Sequence, residues 1–292
     1  MEALVNAVVP FTNFVLLLAV GLDLTVDDFT RVRQQRAAVL AGLFAPLLIL
    51  PAVAVFLINL FDVGAATASG VLLIAASPIG GISNAYSYLA RAATALSVTL
   101  TGLSCLCASV TIPLISAGFE LVLRRQFDFS APLGVLFMQL TLMLALPVTL
   151  GMWLRRRSPE FATRYRGMLK WVAFLGVAVM FAAIIASQPS AFLAELSSTV
   201  PVATIFVLLS LGTGWLVGTA VSDDRRIRFT MAAEFGTRNI GVAITIAVTL
   251  LGRIEFARFA TTYAFTEIPL LLAAVALFRW QTRSIPAAVK TW

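Results

Sequence analysis

Two charged residues stand in an apolar stretch of the sequence, AAEFGTRNIGVAITI, which runs over residues 232–246. Glu234 and Arg238 are four residues apart, so they share one face if the segment is helical. If the stretch crosses a membrane, the carboxylate costs about 2.5–3.5 kcal/mol on insertion scales, and such residues are paired or functional. Two kinds of chemistry are therefore open to Glu234: an ion pair with Arg238, or the binding of a cation.

Further oxygen-bearing side chains follow a second interruption, in the segment SPIGGISN. Ser83 and Asn84 end that segment, and Ser97 and Thr101 lie four residues apart at the start of the next apolar run. Hard cations prefer carboxylate, hydroxyl and carbonyl oxygens. Together with Glu234, these residues predict a cation site. For the two residues of the apolar run, hydrogen bonds back to their own helix are the competing interpretation.

The composition indicates the elements that must position these groups. Of the 292 residues, 60% are hydrophobic and 12% are charged, which is about half the charge of a soluble domain. Apolar runs of about 20 residues recur throughout, and each is long enough to cross a bilayer as a helix. Such runs, without alternation, exclude a membrane β-barrel. We therefore predict an all-α polytopic membrane protein embedded in a lipid bilayer.

The runs predict about nine transmembrane helices, at about 3–22, 36–61, 65–91, 93–122, 132–154, 167–187, 198–220, 227–252 and 257–279. With the N-terminus outside, 16 of the 21 Lys and Arg residues fall on the cytoplasmic side and four outside, while Arg238 lies within a span. Basic residues favour the cytoplasmic side. We predict a multi-pass protein of the cell (inner) membrane with a cytoplasmic C-terminus.

The same composition argues against several other classes of protein. The net charge of +7 is accounted for by basic loops, so no nucleic-acid partner is predicted. Histidine is absent, and no nucleophile and base or paired aspartates stand within the spans, so we predict no enzyme, no metal site beyond a coupling cation and no organic cofactor. No protein partner is predicted either.

Both interruptions contain residues that break helices. Pro78 lacks an N–H, and Gly80 and Gly81 add backbone freedom. Irregular backbone survives in a membrane only inside protein or beside a watery cavity, so the two breaks predict one polar site where they meet. The competing interpretation is that Pro and Gly only kink packed helices.

The interrupted runs are the third and the eighth predicted span, and an odd offset inverts the topology. We therefore predict a single transmembrane domain, residues 1–292, built as an inverted repeat, with repeat one at about 1–122 and repeat two at about 132–281. Inverted repeats with broken helices are typical of secondary transporters, whose site lies near the midplane. A second acid, Glu267 in the last span, could then bind substrate, carry a proton or pair with Arg238.

Three segments carry a family resemblance. PIGGISNAYSYLARAATALSVTLT resembles the signature of the bile acid:sodium symporter family, EFGTRN resembles that family's Glu-x-Gly-x-Gln-Asn motif, and LLLAVGLDLTVDDF resembles its GMGLTL…DF segment. The likeness covers nearly the whole chain and is closest to the nine-helix form, without the first of the ten helices of other members. It implies a panel domain and a core domain, with the two broken helices crossing in the core.

The resemblance also implies the ion sites. The family's first sodium site falls on the matching residues Ser83, Asn84, Ser97, Thr101 and Glu234. Its second sodium site shares the glutamate and uses two glutamines, at whose positions this sequence has Arg238 and Pro46. We therefore expect one sodium ion, with Arg238 as a fixed cation in place of the second.

The residues expected to line the substrate are Gly80, Gly81, Asn239 and Glu267. Gly81 stands where the family usually has a small hydroxyl residue, and Glu267 stands where it has a polar amide, so the substrate is expected to differ from bile acids. The resemblance thus implies a symporter that moves a small organic anion by alternating access, coupled to one sodium ion. The alternative is a sodium-independent or proton-coupled carrier of the same fold. Export of an oxyanion such as arsenite is less favoured, because no cysteine stands within the interrupted segments.

The charge distribution generates a prediction about topology. A reporter fused after Trp292 should be cytoplasmic, and one placed near Ser190, in a stretch without arginine, should face outside. Protease protection or enzymatic reporters in intact cells measure both positions. Finding the two reporters on the same side would end the nine-span prediction.

Overall fold

The computed structural model describes residues 2–25, 30, 35–123 and 133–283, and the elements of this part are helices. They are α1 Glu2–Asp23, α2 Arg36–Leu60, α3 Ala65–Ala76, α4 Ser83–Leu89, α5 Thr94–Leu123, α6 Leu133–Leu140, α7 Leu146–Arg157, α8 Pro159–Ser187, α9 Pro189–Val221, α10 Arg225–Gly236, α11 Ile240–Thr245 and α12 Ile254–Arg283. Two π-helical turns, Thr141–Ala145 and Ile246–Leu250, connect α6 to α7 and extend α11.

The helices agree with the predicted all-α membrane fold. Six stretches within the described ranges are long and apolar enough to cross a membrane, and three shorter apolar helices accompany them, at Ala7–Asp23, Ala65–Ala76 and Ile240–Leu250. The shorter ones coincide with the first predicted span and with parts of the two interrupted spans. The protein is therefore a multi-pass membrane protein. The count of nine spans and the inverted repeat stay predictions.

Two predicted spans are longer in the structure than their apolar cores suggested. The span predicted from residue 167 begins at Pro159, and the span predicted from residue 198 begins at Pro189. Proline suits the first turn of a helix, because its missing N–H would have no helical partner there. Ser158 alone separates α7 from α8, and Gln188 alone separates α8 from α9, so polar helix ends replace the loops that hydropathy predicted.

The helices pack in two sets. Helix α1 packs mainly on α7, α8 and α11, while α9 packs mainly on α10, α12 and α2. Glycines allow close approach in both sets: a Cβ on Gly21 of α1 would lie 2.1 Å from the Val148 carbonyl oxygen of α7, and one on Gly214 of α9 would lie 2.6 Å from the Met231 carbonyl oxygen of α10. Small residues of this kind are typical of helix interfaces in membranes.

Ion pairs join helix ends that the charge distribution assigns to the same side of the membrane. On the predicted cytoplasmic side, Lys170 Nζ lies 2.6 Å from a carboxylate oxygen of Asp23. On the predicted outer side, Arg258 of α12 binds Glu195 of α9 through Nε at 2.9 Å and Nη2 at 2.7 Å. The pairs hold α1 to α8 and α9 to α12. Which side faces the cytoplasm stays a prediction.

The two interrupted spans cross at their breaks. The segment between α3 and α4 pairs with the segment between α10 and α11 through a single antiparallel bridge of Ile79 and Arg238. Gly80 N donates to Thr237 O at 3.1 Å, and Asn239 N donates to Pro78 O at 2.8 Å. Each break therefore supplies hydrogen-bond partners to the other, as membrane-embedded backbone requires.

Side chains from two further helices complete the crossing. Ile79 N donates to Ser104 Oγ of α5 at 3.1 Å. On the other side, Tyr263 Oη of α12 donates to Gly236 O, at the end of α10, at 2.7 Å. The backbone groups that the breaks release are thus bound by neighbouring helices, which fixes the position of both irregular segments.

Close contact at the crossing generates a stability prediction. A Cβ on Gly80 would lie 2.6 Å from the carbonyl oxygen of Arg238, which is backbone and cannot rotate away. We expect Gly80→Ala to force the breaks apart and to destabilise the protein by about 1–3 kcal/mol, the usual range for overpacking. Thermal unfolding in detergent measures the effect.

Gly64 is the matched control. It precedes α3, is exposed, and a Cβ there would meet nothing within 4 Å. Gly64→Ala should leave the melting temperature close to that of the wild type. Equal stability of the two variants would contradict a tightly packed crossing.

Candidate functional site

Three helices bring the five predicted cation ligands together. Helix α4 begins with Ser83 and Asn84, α5 holds Ser97 and Thr101 one turn apart on one face near its start, and α10 supplies Glu234 two residues before its end. Because α3 stops at the first break, α4 can begin beside α5 and direct both of its first side chains at the glutamate of α10.

The oxygens of this cluster lie within hydrogen-bond distance of one another. Ser97 Oγ lies 2.8 Å from Asn84 Oδ1 and also within hydrogen-bond distance of Glu234 Oε1, so its single hydrogen can be donated to either oxygen. Thr101 Oγ1 lies 3.3 Å from Asn84 Oδ1, 3.3 Å from Glu234 Oε2 and 3.2 Å from Ser83 Oγ. Four of the five side chains are buried and Asn84 is half-buried. One carboxylate, one amide oxygen and three hydroxyls thus form a compact set of hard ligands.

Glu234 has no basic partner in this cluster. Its side chain is fully buried, and within the described ranges no Lys or Arg nitrogen lies within the 4.0 Å of an ion pair. The ion pair with Arg238 that helical spacing allowed is therefore not formed, because α10 ends at Gly236 and the extended backbone that follows turns Arg238 elsewhere. A buried carboxylate without a cation is unfavourable in a membrane.

Arg238 binds backbone instead of a carboxylate. Its Nη2 donates to the carbonyl oxygen of Ser77, at the end of α3, while its Nε and Nη1 have no hydrogen-bond partner among the described residues. The side chain is 2% exposed. Pro46 is buried in α2, a helix that packs on α10. A fixed cation therefore sits at the crossing and binds a carbonyl released by the break.

Glu267 forms a second buried acidic site. It lies in the middle of α12, is fully buried, and neither carboxyl oxygen has a hydrogen-bond partner among the described residues. The hydroxyls of Thr237 and Tyr86 face it and interact with it electrostatically. Thr237 belongs to the second break, so Glu267 lies beside the crossing, as expected for a residue that lines a substrate. Pairing with Arg238, one of the three roles that the sequence left open for Glu267, does not occur within the described part of the chain.

The other three predicted substrate-lining residues also lie at the breaks. Asn239 accepts a hydrogen bond from Val242 N at 3.1 Å and so caps α11, while its Nδ2 has no partner among the described residues. Gly80 is buried under the second break. Gly81 is half-buried, and a Cβ there would meet Val20 of α1 at 3.2 Å. Gly81 thus places the first break against α1.

Sequence reasoning missed several residues that shape this site. Ser104, Tyr263 and Tyr86 contribute through tertiary contacts, and only their polar character within apolar runs could have indicated them. Cys105 Sγ lies 3.8 Å from Ile79 O, so a cysteine does contact the first break, although none stands within the interrupted segment. It is one buried thiol, and no group of three or more His, Cys, Asp or Glu side chains in the described ranges is placed to hold a metal ion.

The fold and the site define a class of protein. A helical membrane protein with two broken helices that cross beside a buried cluster of oxygens is typical of secondary transporters.

Residues 10–195 match the model of the Sodium Bile acid symporter family, which is more than half of the chain, so the protein belongs to this family. Membership assigns the chain to a class of membrane transport proteins and not to a class of enzymes, as the sequence predicted.

Relatives of known name cover most of this chain. "Probable sodium/metabolite cotransporter BASS1, chloroplastic" of Arabidopsis thaliana is 26% identical over 236 residues, which is 81% of this chain and 58% of that protein. "Uncharacterized sodium-dependent transporter YocS" of Bacillus subtilis is 26% identical over 237 residues, 80% of this chain and 71% of that protein. "Hepatic sodium/bile acid cotransporter" of Homo sapiens is 22% identical over 244 residues, 82% and 69%. The chain spans less than two thirds of the plant relative's length.

Proposed function

We propose that this protein is a secondary active transporter that moves a small organic anion by alternating access, coupled to one sodium ion. The observation that carries the proposal is the cluster of five oxygen-bearing side chains around Glu234, buried and without a basic partner among the described residues. A monovalent cation bound there would compensate the carboxylate, and the oxygens supply the hard ligands that such an ion needs. The printed names of the three relatives, each a sodium-dependent transporter or cotransporter, support sodium as the ion.

The charge of Arg238 supports a stoichiometry of one. A guanidinium stays protonated in proteins and donates several hydrogen bonds. Arg238 uses Nη2 to bind the Ser77 carbonyl, which is the kind of group that a second ion would otherwise coordinate. The alternative, in which Arg238 neutralises Glu234 and the carrier is independent of sodium, is less favoured because the two side chains form no ion pair.

Two features support an anionic substrate and alternating access. Arg238 and Asn239 present unpartnered donors at the crossing, and donors of this kind bind carboxylates and other oxyanions. The packing of α1, α7 and α8 against one another, apart from the set around α9, supports a panel that moves relative to a core. Gly81 of the first break faces Val20 of α1, so a substrate bound between α1 and the breaks would contact the crossing. The cell membrane is the proposed location.

The first experiment tests the cation ligands. Glu234→Ala and Asn84→Ala each delete an oxygen ligand, so we expect both to abolish the rise in melting temperature that sodium produces in the purified wild type, since an ion stabilises the state that binds it. Asn59→Ala, at an exposed amide of α2 that bonds only its own helix, is the control and should keep the sodium effect. Undiminished sodium dependence in both site variants would sink the proposed coupling.

The second experiment tests the stoichiometry. In the wild type, sodium titration of stability and uptake should give a Hill coefficient of about 1, because cooperativity requires more than one coupled site. The double variant Arg238→Gln, Pro46→Gln restores two amides in place of the fixed cation and should raise the coefficient towards that of two sites. A wild-type coefficient clearly above that of a single site would exclude the proposed role of Arg238.

A further inference from the structure

Five buried side chains at the crossing carry polar atoms without a hydrogen-bond partner among the described residues. They are the two carboxyl oxygens of Glu267, Tyr86 Oη, Thr237 Oγ1, Arg238 Nε and Nη1, and Asn239 Nδ2. None of these residues is more than 2% exposed. Buried polar groups are nearly always hydrogen-bonded in native proteins. Because several unpartnered atoms lie together here, we infer that a polar ligand binds among them.

The oxygen atoms of this set belong to Glu267 and to two hydroxyl groups beside it. The hydroxyls of Tyr86 and Thr237 lie beside its carboxyl group and interact with it, but a hydroxyl carries no positive charge that would compensate the carboxylate. No basic side chain within the described ranges lies at ion-pair distance. A protonated amine carries one positive charge and three N–H donors. It would compensate the carboxylate and would also give each of the three residues a donor.

The donors of the set belong to the second break. Arg238 has Nε and Nη1 unpartnered within the described part, and the neighbouring Asn239 has Nδ2 unpartnered. Of the guanidinium nitrogens, Nη2 donates to the carbonyl oxygen of Ser77. The N–H groups of Nε and Nη1 therefore stay without an acceptor within the described part. An oxyanion such as a carboxylate or sulfonate accepts from these groups through charge-assisted bonds.

The two charged groups are linked through the second break, because Arg238 follows Thr237 in the chain and the Thr237 hydroxyl interacts with Glu267. Both Glu267 and Arg238 interact electrostatically with Tyr263, whose hydroxyl is held by Gly236 O. Nevertheless they form no ion pair within 4.0 Å. A single small molecule with opposite charges at its two ends would satisfy both, whereas a plain anion would satisfy Arg238 alone.

The balance of buried charge leads to the same ligand. The side chains of Glu234, Arg238 and Glu267 together carry one net negative charge. A sodium ion beside Glu234 brings the sum to zero. A solute of no net charge preserves this balance, while a plain monoanion adds an uncompensated negative charge, which is costly in a membrane. Protonation of Glu267 would also balance the charge of a bound monoanion. The single added O–H, however, could donate to only one of the oxygens around the carboxyl group.

We propose that the transported solute is a small zwitterion, whose protonated amine is bound by Glu267, Tyr86 and Thr237 and whose anionic group is bound by Arg238 and Asn239. This inference rests on the proposed function and narrows its substrate class, from organic anions in general to solutes whose anionic group is accompanied by a protonated amine. Glu267 is then the residue that selects for the amine.

The amine site can be tested with methylammonium alone. We expect methylammonium chloride, in constant sodium, to raise the melting temperature of the purified full chain, and tetramethylammonium, which has no N–H donor, to have no effect. Glu267→Gln keeps the shape of the side chain and removes its charge. It should weaken methylammonium binding by at least about tenfold, because a hydrogen-bonded charge is lost. Tyr86→Phe and Thr237→Val should weaken it less.

Glu160→Gln is the matched control, because Glu160 is an exposed glutamate at the start of α8. This variant should bind methylammonium like the wild type. A shift that is equal in wild type and Glu267→Gln, or the absence of any shift, overturns the inference. An equal shift with potassium chloride at the same concentration makes the site one for inorganic cations and overturns it too.

Matched solutes extend the test to transport. Uptake into proteoliposomes with a sodium gradient is compared for three pairs of solutes that differ mainly in the amine. The pairs are glycine and acetate, taurine and ethanesulfonate, and L-leucine and isocaproate. A preference for amine-bearing members that Glu267→Gln abolishes supports the inference, and uptake confined to the amine-free members overturns it. Sodium-dependent stabilisation, measured on the same preparations, distinguishes a failure of the proposed function from a failure of the zwitterion inference. Its absence contradicts the proposed function, whereas its presence without an amine effect contradicts only the zwitterion.

Discussion

Two main-chain hydrogen bonds between the broken helices, from Gly80 N to Thr237 O and from Asn239 N to Pro78 O, make the rest of the site possible. A bilayer offers no water to backbone groups that leave a helix, so an isolated break would be unstable. Crossing lets each break partner the other. Once the crossing forms, α4 begins beside α5, and α10 ends where Glu234 meets both. The oxygen cluster is thus a consequence of how the backbone is satisfied.

The crossing also separates the buried charges from one another. Glu234 is bound by hydroxyls on α5, Arg238 by a carbonyl at the end of α3, and Glu267 lies beside the hydroxyls of Tyr86 and Thr237. Had the second interrupted span stayed helical, Glu234 and Arg238 would face the same side and could neutralise each other. The extended residues after Gly236 prevent this. None of the three charges is therefore neutralised by direct contact with another.

The sequence predicted the membrane class, both breaks and the residues around Glu234, because apolar runs, Pro and Gly, and buried acids have strong local signals. It did not predict the helical ends at Pro159 and Pro189, since hydropathy reports only the apolar part of a helix. The contacts of Tyr263 and Ser104 with the breaks were also missed. They join residues far apart in the chain, and a single polar residue in an apolar run does not identify its partner. The spacing of Glu234 and Arg238 also allowed an ion pair, which the irregular backbone excludes.

The buried guanidinium of Arg238 has a consequence for the work that such a carrier can do. A sodium ion enters from one side and leaves on the other, and so delivers the energy of its gradient in every cycle. An arginine side chain shuttles with the protein and delivers none. If the fixed cation takes the place of one ion, the highest ratio of solute concentrations across the membrane scales with the first power of the sodium gradient and not with its square. A carrier of this kind would reach a lower concentration ratio and would use less sodium for each molecule that it moves.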